Sequence, residues 1–298
     1  MSGDALPAVR GASAPGKLLL AGEYAVLEGA PAIVTAVQAR AFALFEPGEG
    51  GPEHPEGAAA RALAEARFGA VGARIALDAS ALRAGDVKLG LGSSAAIAAA
   101  CAAAVVAYHG RDPSEPGSSV LELALAGHRA VAPEGSGADV AAAVLGGLIR
   151  FQRADGGPVD ASPLPWPEGL SVRVVWTGKA ARTSDYLRRV AELAAAAPEV
   201  HRSLFDALRD RAEELTAAFC TRDVAAIVRG AGVYGEAMAA LGDAARVPIV
   251  EERLAAVDAL ARRFGGRSKP SGAGGGDVAV AFFGDPNAVR SFEAACRD

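Results

Sequence analysis

The chain has 298 residues, of which 51% are hydrophobic and 22% are charged, and its mean hydropathy is +0.22. This composition excludes an intrinsically disordered chain, and the length predicts two packed domains. The net charge of −5, without a long basic run, argues against nucleic acid as the main partner.

The amino terminus and the cysteines predict a cytoplasmic protein that does not insert into a membrane. The opening MSGDALPAVRG lacks an apolar signal core, and the longest apolar run, residues 95–108, is too short to span a bilayer. Cys101, Cys220 and Cys296 are far apart and form neither a CxxC pair nor a zinc-type spacing. We therefore expect reduced thiols.

The first half of the chain mixes strand and helix patterns without a regular alternation. The predicted strands are 17–21, 30–45, 74–77 and 148–153. The predicted helices are 58–68, 95–108, 121–131 and 139–147, and Ser93 and Ser94 are suitable caps for the second of them. Residues 46–56, rich in Gly, Pro and Glu, predict a surface loop.

A stretch rich in proline and glycine, residues 155–167, predicts the boundary between domains 1–166 and 167–298. Beyond it we expect strands at 170–176 and 278–283, helices at 184–196, 202–219 and 249–264, a glycine-rich turn at 272–276, and a last helix. Because the alternation is irregular, the fold class is predicted as α+β.

The strongest chemical motif is the sequence KLGLGSSAA, residues 88–96. Its glycines allow backbone N–H groups to approach phosphate, and the positive end of the next helix points to the same place. The motif is not a Walker loop, because no lysine follows the glycine pair. A Rossmann fingerprint is a closer rival, with Asp112 near the ribose position, but residues 84–88 resemble a loop instead of a buried strand. A simple helix cap after a glycine turn also remains open.

Three further motifs carry chemistry, and each has a simpler alternative. In APGKLLLAGEY, residues 14–24, Lys17 is either a functional cation or a solvated side chain. In GSGADVA, residues 135–141, Asp139 is either catalytic or a helix cap. In KPSGAGGGD, residues 269–277, the glycines indicate close backbone approach to another group, or a hairpin or bulge.

Taken together and in this order, the motifs at 15–23, 90–96 and 272–276 resemble those of the GHMP kinase superfamily, and the resemblance spans nearly the whole chain. It implies a two-domain α+β fold, with an N-terminal ATP-binding domain like ribosomal protein S5 domain 2 and a ferredoxin-like C-terminal domain. ATP would lie against the loop at 90–94, with Mg²⁺ as cofactor.

Within the superfamily, the chain is most similar to the phosphomevalonate kinases. Tyr24 follows Glu23 where mevalonate kinases usually have histidine, and the last motif, SKPS followed by GAGGGD, and the segment WTG at 176–178 are similar to that group. The resemblance implies ATP-dependent phosphorylation of 5-phosphomevalonate to 5-diphosphomevalonate in the mevalonate route to isoprenoids. Mevalonate kinase, another GHMP kinase and an inactive nucleotide sensor remain alternatives.

The resemblance also implies a set of site residues. Lys17 and Asp139 would be catalytic, and Ser94 would bind the metal. The ATP site would comprise Lys88, Gly90, Leu91, Gly92, Ser93, Ser94 and Ala95. The substrate site would comprise Lys17, Glu23, Tyr24, Ser136, Gly137, Lys179, Arg182, Lys269, Ser271 and Gly272.

Two departures from the family limit this transfer. The segment between the first two motifs is short, so no adenine contacts are carried over. His128 stands about where mevalonate kinases have a metal-binding glutamate. The expected partner is a small-molecule substrate, with the protein a monomer or homodimer.

Overall fold

The structure is a computed structural model that describes residues 9–115, 117–153, 157–178, 183–276 and 278–297. Its helices are α1 (Pro55–Phe68), α2 (Ser93–Tyr108), α3 (Val120–Val131), α4 (Ala138–Leu145), α5 (Thr183–Ala196), α6 (Pro198–Thr221), α7 (Val224–Ala244), α8 (Glu252–Arg263) and α9 (Pro286–Ala295). Its strands are β1 (Gly11–Ala21), β2 (Ala32–Glu46), β3 (Arg74–Asp78), β4 (Arg83–Ala84), β5 (Val87–Lys88), β6 (Leu148–Arg153), β7 (Val159–Leu164), β8 (Ser171–Trp176), β9 (Arg267–Pro270) and β10 (Val278–Phe283).

The strands form three sheets. One has the order β1-β2-β6-β7, with β3 antiparallel to β2 so that Phe42 pairs with Asp78 and Glu46 with Arg74. A second has the antiparallel order β8-β10-β9, and β4 and β5 form a two-residue hairpin. This mixture of helices and largely antiparallel strands confirms the predicted α+β class.

The sequence analysis missed the helix α7, the strands β7 and β9, and the short strands β4 and β5. Helix α7 contains several glycines, which disfavour a helix, but Asp223 caps it by accepting from the Ala226 backbone N–H at 2.9 Å. A Cβ on Gly232 would lie 1.8 Å from Cζ of Arg267, so the glycine lets β9 pack closely against this helix. Strand β7 tolerates Pro163 because it lies at the end of its sheet.

The chain divides into two compact units, one of residues 1–18 and 34–149 and the other of residues 19–33 and 150–298. This grouping differs from the predicted division at 166/167, because it assigns 150–166 to the second unit and includes residues 19–33 there as well. The chain passes from one unit to the other within β1 and again at Val34 in β2.

Unit 1 is built around α2, whose residues from Ala95 to Ala107 are all buried. Helices α1, α3 and α4 pack against it. The many alanines allow these helices to approach closely: Gly127 of α3 lies so near Ala60 of α1 that a Cβ on the glycine would meet backbone atoms at 2.6 Å. This packing fixes the start of α2 as a rigid platform.

Unit 2 has a core between its three-stranded sheet and helices α7 to α9, and α6 packs against α7. All six residues of β10 are buried, and Phe283 packs against Phe292 of α9 with ring centroids 5.0 Å apart. By length and composition alone, α7 is the one described helix that could cross a membrane, a test that core helices also pass. It packs against α6 and β9.

Candidate active site

The phosphate-loop motif forms the start of α2. Gly92 is the N-cap in the left-handed conformation, with φ +73°, and Ser93 and Ser94 are the first helical residues. The prediction that the serines cap this helix is therefore wrong, and no described side chain caps it. The first-turn N–H groups lack an internal acceptor and the helix dipole is positive here, so this end suits an anion.

Lys17 lies directly against this loop. Its backbone N–H donates to the carbonyl oxygen of Leu91 at 2.8 Å. Its side chain passes over Gly92, where an added Cβ would lie 2.9 Å from Cγ and 3.0 Å from Cε of the lysine. The structure therefore brings the motif at 15–23 next to the motif at 90–96. Gly92 is needed both for its positive φ and for this close approach.

Lys88 lies on the short hairpin that precedes the loop. It pairs with Arg83 across the β4–β5 turn and is exposed. A dinucleotide-binding fingerprint needs a buried strand immediately before the glycines, and this exposed hairpin is not one. The geometry therefore favours the phosphate loop over the Rossmann alternative.

Asp139 lies in the first turn of α4, as predicted, and its carboxylate accepts from the backbone N–H of Val140 at 2.9 Å. Gly137 is the N-cap, and the Ser136 hydroxyl accepts from the Ala138 N–H at 3.2 Å. Among the described ion pairs none joins Asp139 to Lys17, so the structure shows the carboxylate bonded to the first turn of its own helix and does not show the predicted contact.

Glu23 and Lys269, predicted to contact substrate, form an ion pair with each other in unit 2. The side chains of both residues have no exposed surface. Burial raises the pKa of Glu23 above its usual value, and the Lys269 ammonium beside it opposes that rise. Neither charge is exposed in this structure, and the predicted contact of these two residues with substrate stays a prediction.

Tyr24 and Ser271, predicted to bind substrate, are also buried, and their contact with substrate stays a prediction. The Tyr24 hydroxyl donates to the carbonyl oxygen of Ala273 at 2.6 Å. The Ser271 hydroxyl accepts from the Leu19 N–H at 3.0 Å and donates to the Leu19 carbonyl oxygen at 3.1 Å. These bonds tie residues 19–24 to the third motif within unit 2.

The glycines of the third motif do not share one role. A Cβ on Gly274 would lie 2.2 Å from the Ile249 carbonyl oxygen, and one on Gly275 would lie 1.8 Å from the Tyr186 hydroxyl. At Gly272, where φ is +87°, no described atom lies within 4 Å of that position. The predicted close approach is therefore to the protein itself at two glycines, while Gly272 has an open face.

Some predicted residues remain without a structural description. Lys179, Arg182 and Asp277 lie outside the described residues. His128 is buried, and its Nδ1 has no hydrogen-bond partner in the described part of the chain. The described residues contain no group of three or more His, Cys, Asp or Glu side chains that could hold a metal ion.

The sequence analysis missed Tyr234 and Tyr186. Tyr234, on α7, donates its hydroxyl to the Glu23 carbonyl oxygen at 2.7 Å, and its ring lies 5.8 Å from Nζ of Lys269. Tyr186, on α5, meets the glycine-rich turn. No local pattern indicates either contact, because each partner is distant in sequence.

Comparison with known proteins agrees with this geometry. Residues 55–147 match the family described as GHMP kinases N terminal domain. Phosphomevalonate kinase of Streptomyces sp. strain CL190 is 29% identical over 214 residues, which cover 65% of this chain and 57% of that protein. Mevalonate kinase of Aeropyrum pernix is 31% identical over 222 residues, 66% of each chain. This chain therefore spans less than two thirds of the length of these relatives.

A solved structure extends the likeness to nearly the whole chain. Streptococcus pneumoniae phosphomevalonate kinase in complex with phosphomevalonate and AMPPNP superposes with a TM-score of 0.80, covers 95% of this chain and 94% of its own, and is 19% identical. At that identity the likeness supports the fold alone. The chain belongs to the GHMP kinase superfamily and has its two-domain fold. Its curated relatives include both phosphomevalonate and mevalonate kinases.

Proposed function

We propose that this protein is a cytoplasmic, ATP-dependent kinase that converts 5-phosphomevalonate to 5-diphosphomevalonate in the mevalonate route. The observation that carries the kinase assignment is the contact of Lys17 with an uncapped helix start at Leu91 and Gly92. The choice of substrate is supported by similarity to a phosphomevalonate kinase and by Tyr24 in the first motif.

The ATP phosphates would bind at the loop in unit 1. The backbone N–H groups of residues 90–95 belong to the loop and first turn at the positive end of α2, which is long, buried and therefore rigid. Lys88, exposed on its hairpin, would add a mobile positive charge. These groups hold and neutralise the triphosphate, which is the main requirement of phosphoryl transfer.

Magnesium fits this loop as a cofactor shared with ATP. Mg²⁺ in nucleotide sites takes one or two protein oxygens and completes its shell with phosphates and water. Ser94, half-buried in the first turn of α2, offers such an oxygen, and the lack of a larger ligand group in the described residues agrees with this mode. The ion would neutralise phosphate charge during transfer.

Lys17 would hold the γ-phosphate and the acceptor in line, since its side chain lies over the loop and is partly exposed. Asp139 would position Lys17 or act as base. In the complex with substrates, its side chain would lie closer to Lys17 than it does in this structure. A phosphate acceptor has a second pKa near 6, so it is mostly a dianion at pH 7 and needs positive charge more than a base. The positioning role of Asp139 follows from that chemistry.

The negative charges of the substrate need cations beyond Lys17. Lys269 is buried against Glu23 and no longer supports this part of the proposal. Lys179 and Arg182 remain the proposed contacts for the substrate's own phosphate or carboxylate. Gly272, with its open face, would line the same end of the substrate site.

Mevalonate kinase is the second candidate, because the relative from Aeropyrum pernix is the more identical of the two. A coupled assay of ADP release, with mevalonate and phosphomevalonate in parallel and a no-acceptor control, separates the candidates. We expect turnover with phosphomevalonate to exceed that with mevalonate. Equal or faster turnover with mevalonate refutes the substrate assignment, and no ADP release with either refutes the kinase.

A further inference from the structure

Unit 2 contains a cluster of buried polar groups that the proposed mechanism leaves without a task. We call Glu23, Lys269 and Tyr234 the buried triad. The ammonium of Lys269 contacts the Glu23 carboxylate and lies 3.0 Å from the Pro270 carbonyl oxygen and 3.4 Å from that of Leu19. Three oxygens thus face a group with three N–H donors.

Tyr234 completes the triad from helix α7. Its hydroxyl donates to the Glu23 carbonyl oxygen at 2.7 Å, and its ring centroid lies 5.8 Å from Nζ of Lys269. Tyr234 itself is fully buried. The residues that follow β1, the helix α7 and the strand β9 are therefore joined at one point.

Stability alone is a weak explanation for such a pair. The free-energy cost of removing two charges from water offsets much of their mutual attraction. A protein with apolar residues of similar volume in their place is often as stable or more stable. A buried pair is better explained when it fixes one particular arrangement of backbone, as buried polar groups do in some proteins.

The backbone fixed here is the turn at residues 271–273. Ser271 is bonded to both backbone groups of Leu19, and the Ala273 carbonyl accepts from Tyr24. Burial raises the pKa of Glu23, and the Lys269 ammonium and then the Gly272 backbone oppose that rise. The turn is therefore held on either side of Gly272, which has an open face.

We propose that Glu23 is a positioning residue, which acts through Lys269 to hold Gly272 and its neighbours in the conformation that receives the acceptor substrate. This inference rests on the proposed function for the identity of the acceptor. It assigns Glu23 a task without contact to substrate. Tyr234 supports the task by fixing the Glu23 backbone.

The test replaces both charges at once, with the variant E23M/K269M. Methionine matches the length of the Glu23 side chain and is one atom shorter than that of Lys269. Because both charges are removed together, no buried charge is left unpaired. The matched control is R173M/E293M, which removes a partly exposed ion pair between β8 and α9 in the same unit. Four quantities are measured on each: the melting temperature, KM for phosphomevalonate, KM for ATP, and amide hydrogen exchange of residues 271–273.

We expect E23M/K269M to melt close to the wild type, with KM for phosphomevalonate raised about tenfold and KM for ATP within about twofold. Exchange at 271–273 should be about tenfold faster, and the control should show neither change. Wild-type values of KM and exchange in a folded double variant overturn the inference, since a purely structural pair would give that result.

The exchange measurement does not depend on turnover. If the wild-type protein phosphorylates neither acceptor, the proposed function fails while exchange at 271–273 still decides whether the triad positions the turn. If E23M/K269M does not fold, Tyr234→Phe removes a single hydroxyl and makes the same test. Unchanged exchange at 271–273 in folded Tyr234→Phe then overturns the inference.

Discussion

Replacing Lys17 by methionine isolates the contribution of one ammonium group. The Lys17 backbone N–H is held by Leu91 at 2.8 Å, and that bond survives any side chain except proline. Methionine keeps carbon atoms at the γ and ε positions, the two that lie over Gly92. The variant therefore retains the packing of the loop and loses the charge.

The size of the effect follows from the charge and its surroundings. Two unit charges about 4 Å apart interact by about 4 kcal/mol at an effective dielectric constant of about 20. Lys17 is partly exposed, so water recovers some of this when the ammonium is removed. A remaining loss of about 3 kcal/mol corresponds to a fall in kcat on the order of a hundredfold.

The assay is coupled ADP release at saturating ATP and phosphomevalonate, with thermal unfolding measured on the same samples. Lys88→Met is the matched comparison, because that lysine is exposed and lies on the hairpin before the loop. We expect it to raise KM for ATP more than it lowers kcat. A Lys17→Met enzyme with near-normal kcat, or one that has lost its fold, would refute the reasoning.

Three further predictions concern the loop and Asp139. Gly92→Ala should weaken ATP binding by about tenfold or more in calorimetry, because the new Cβ displaces the Lys17 side chain; Gly85→Ala, also at positive φ but in open space, should leave ATP affinity unchanged. Ser94→Ala should raise the Mg²⁺ concentration needed for half-maximal rate at fixed ATP, and an unchanged requirement assigns the metal to other ligands. Asp139→Asn keeps the acceptor for the Val140 N–H, so its loss of kcat should be smaller than that of Lys17→Met; an equal loss would restore Asp139 as the base.

Local sequence patterns determined most of the elements and the phosphate loop. Stretches of a few residues are enough to predict the alanine-rich helix α2, the glycines before it and the apolar strands at both ends of the chain. The same patterns placed Asp139 in the first turn of its helix, where the structure has it. Lys17 was expected where a loop enters the strand at 17–21, but it lies within β1, which begins at Gly11. The order of the motifs indicated the superfamily.

Local patterns also misled where neighbours in space decide. The glycines of α7 argue against a helix, yet Gly232 and Gly235 leave room for Arg267 and Lys269 of β9, and Gly242 leaves room for the Val247 carbonyl oxygen. Ser93 and Ser94 have the composition of caps, but the left-handed Gly92 takes that position. Each outcome depends on atoms contributed by another part of the chain.

The tertiary structure decided what the charged residues of the first and third motifs do. Glu23 and Lys269 are 246 residues apart, so no spacing in the sequence can pair them. Once folding removes both from water, each charge needs the other, and neither is exposed at the surface. A charged residue in a motif looks the same in the sequence whether it contacts a ligand or holds the loop that does. The difference is burial, which only the folded chain determines.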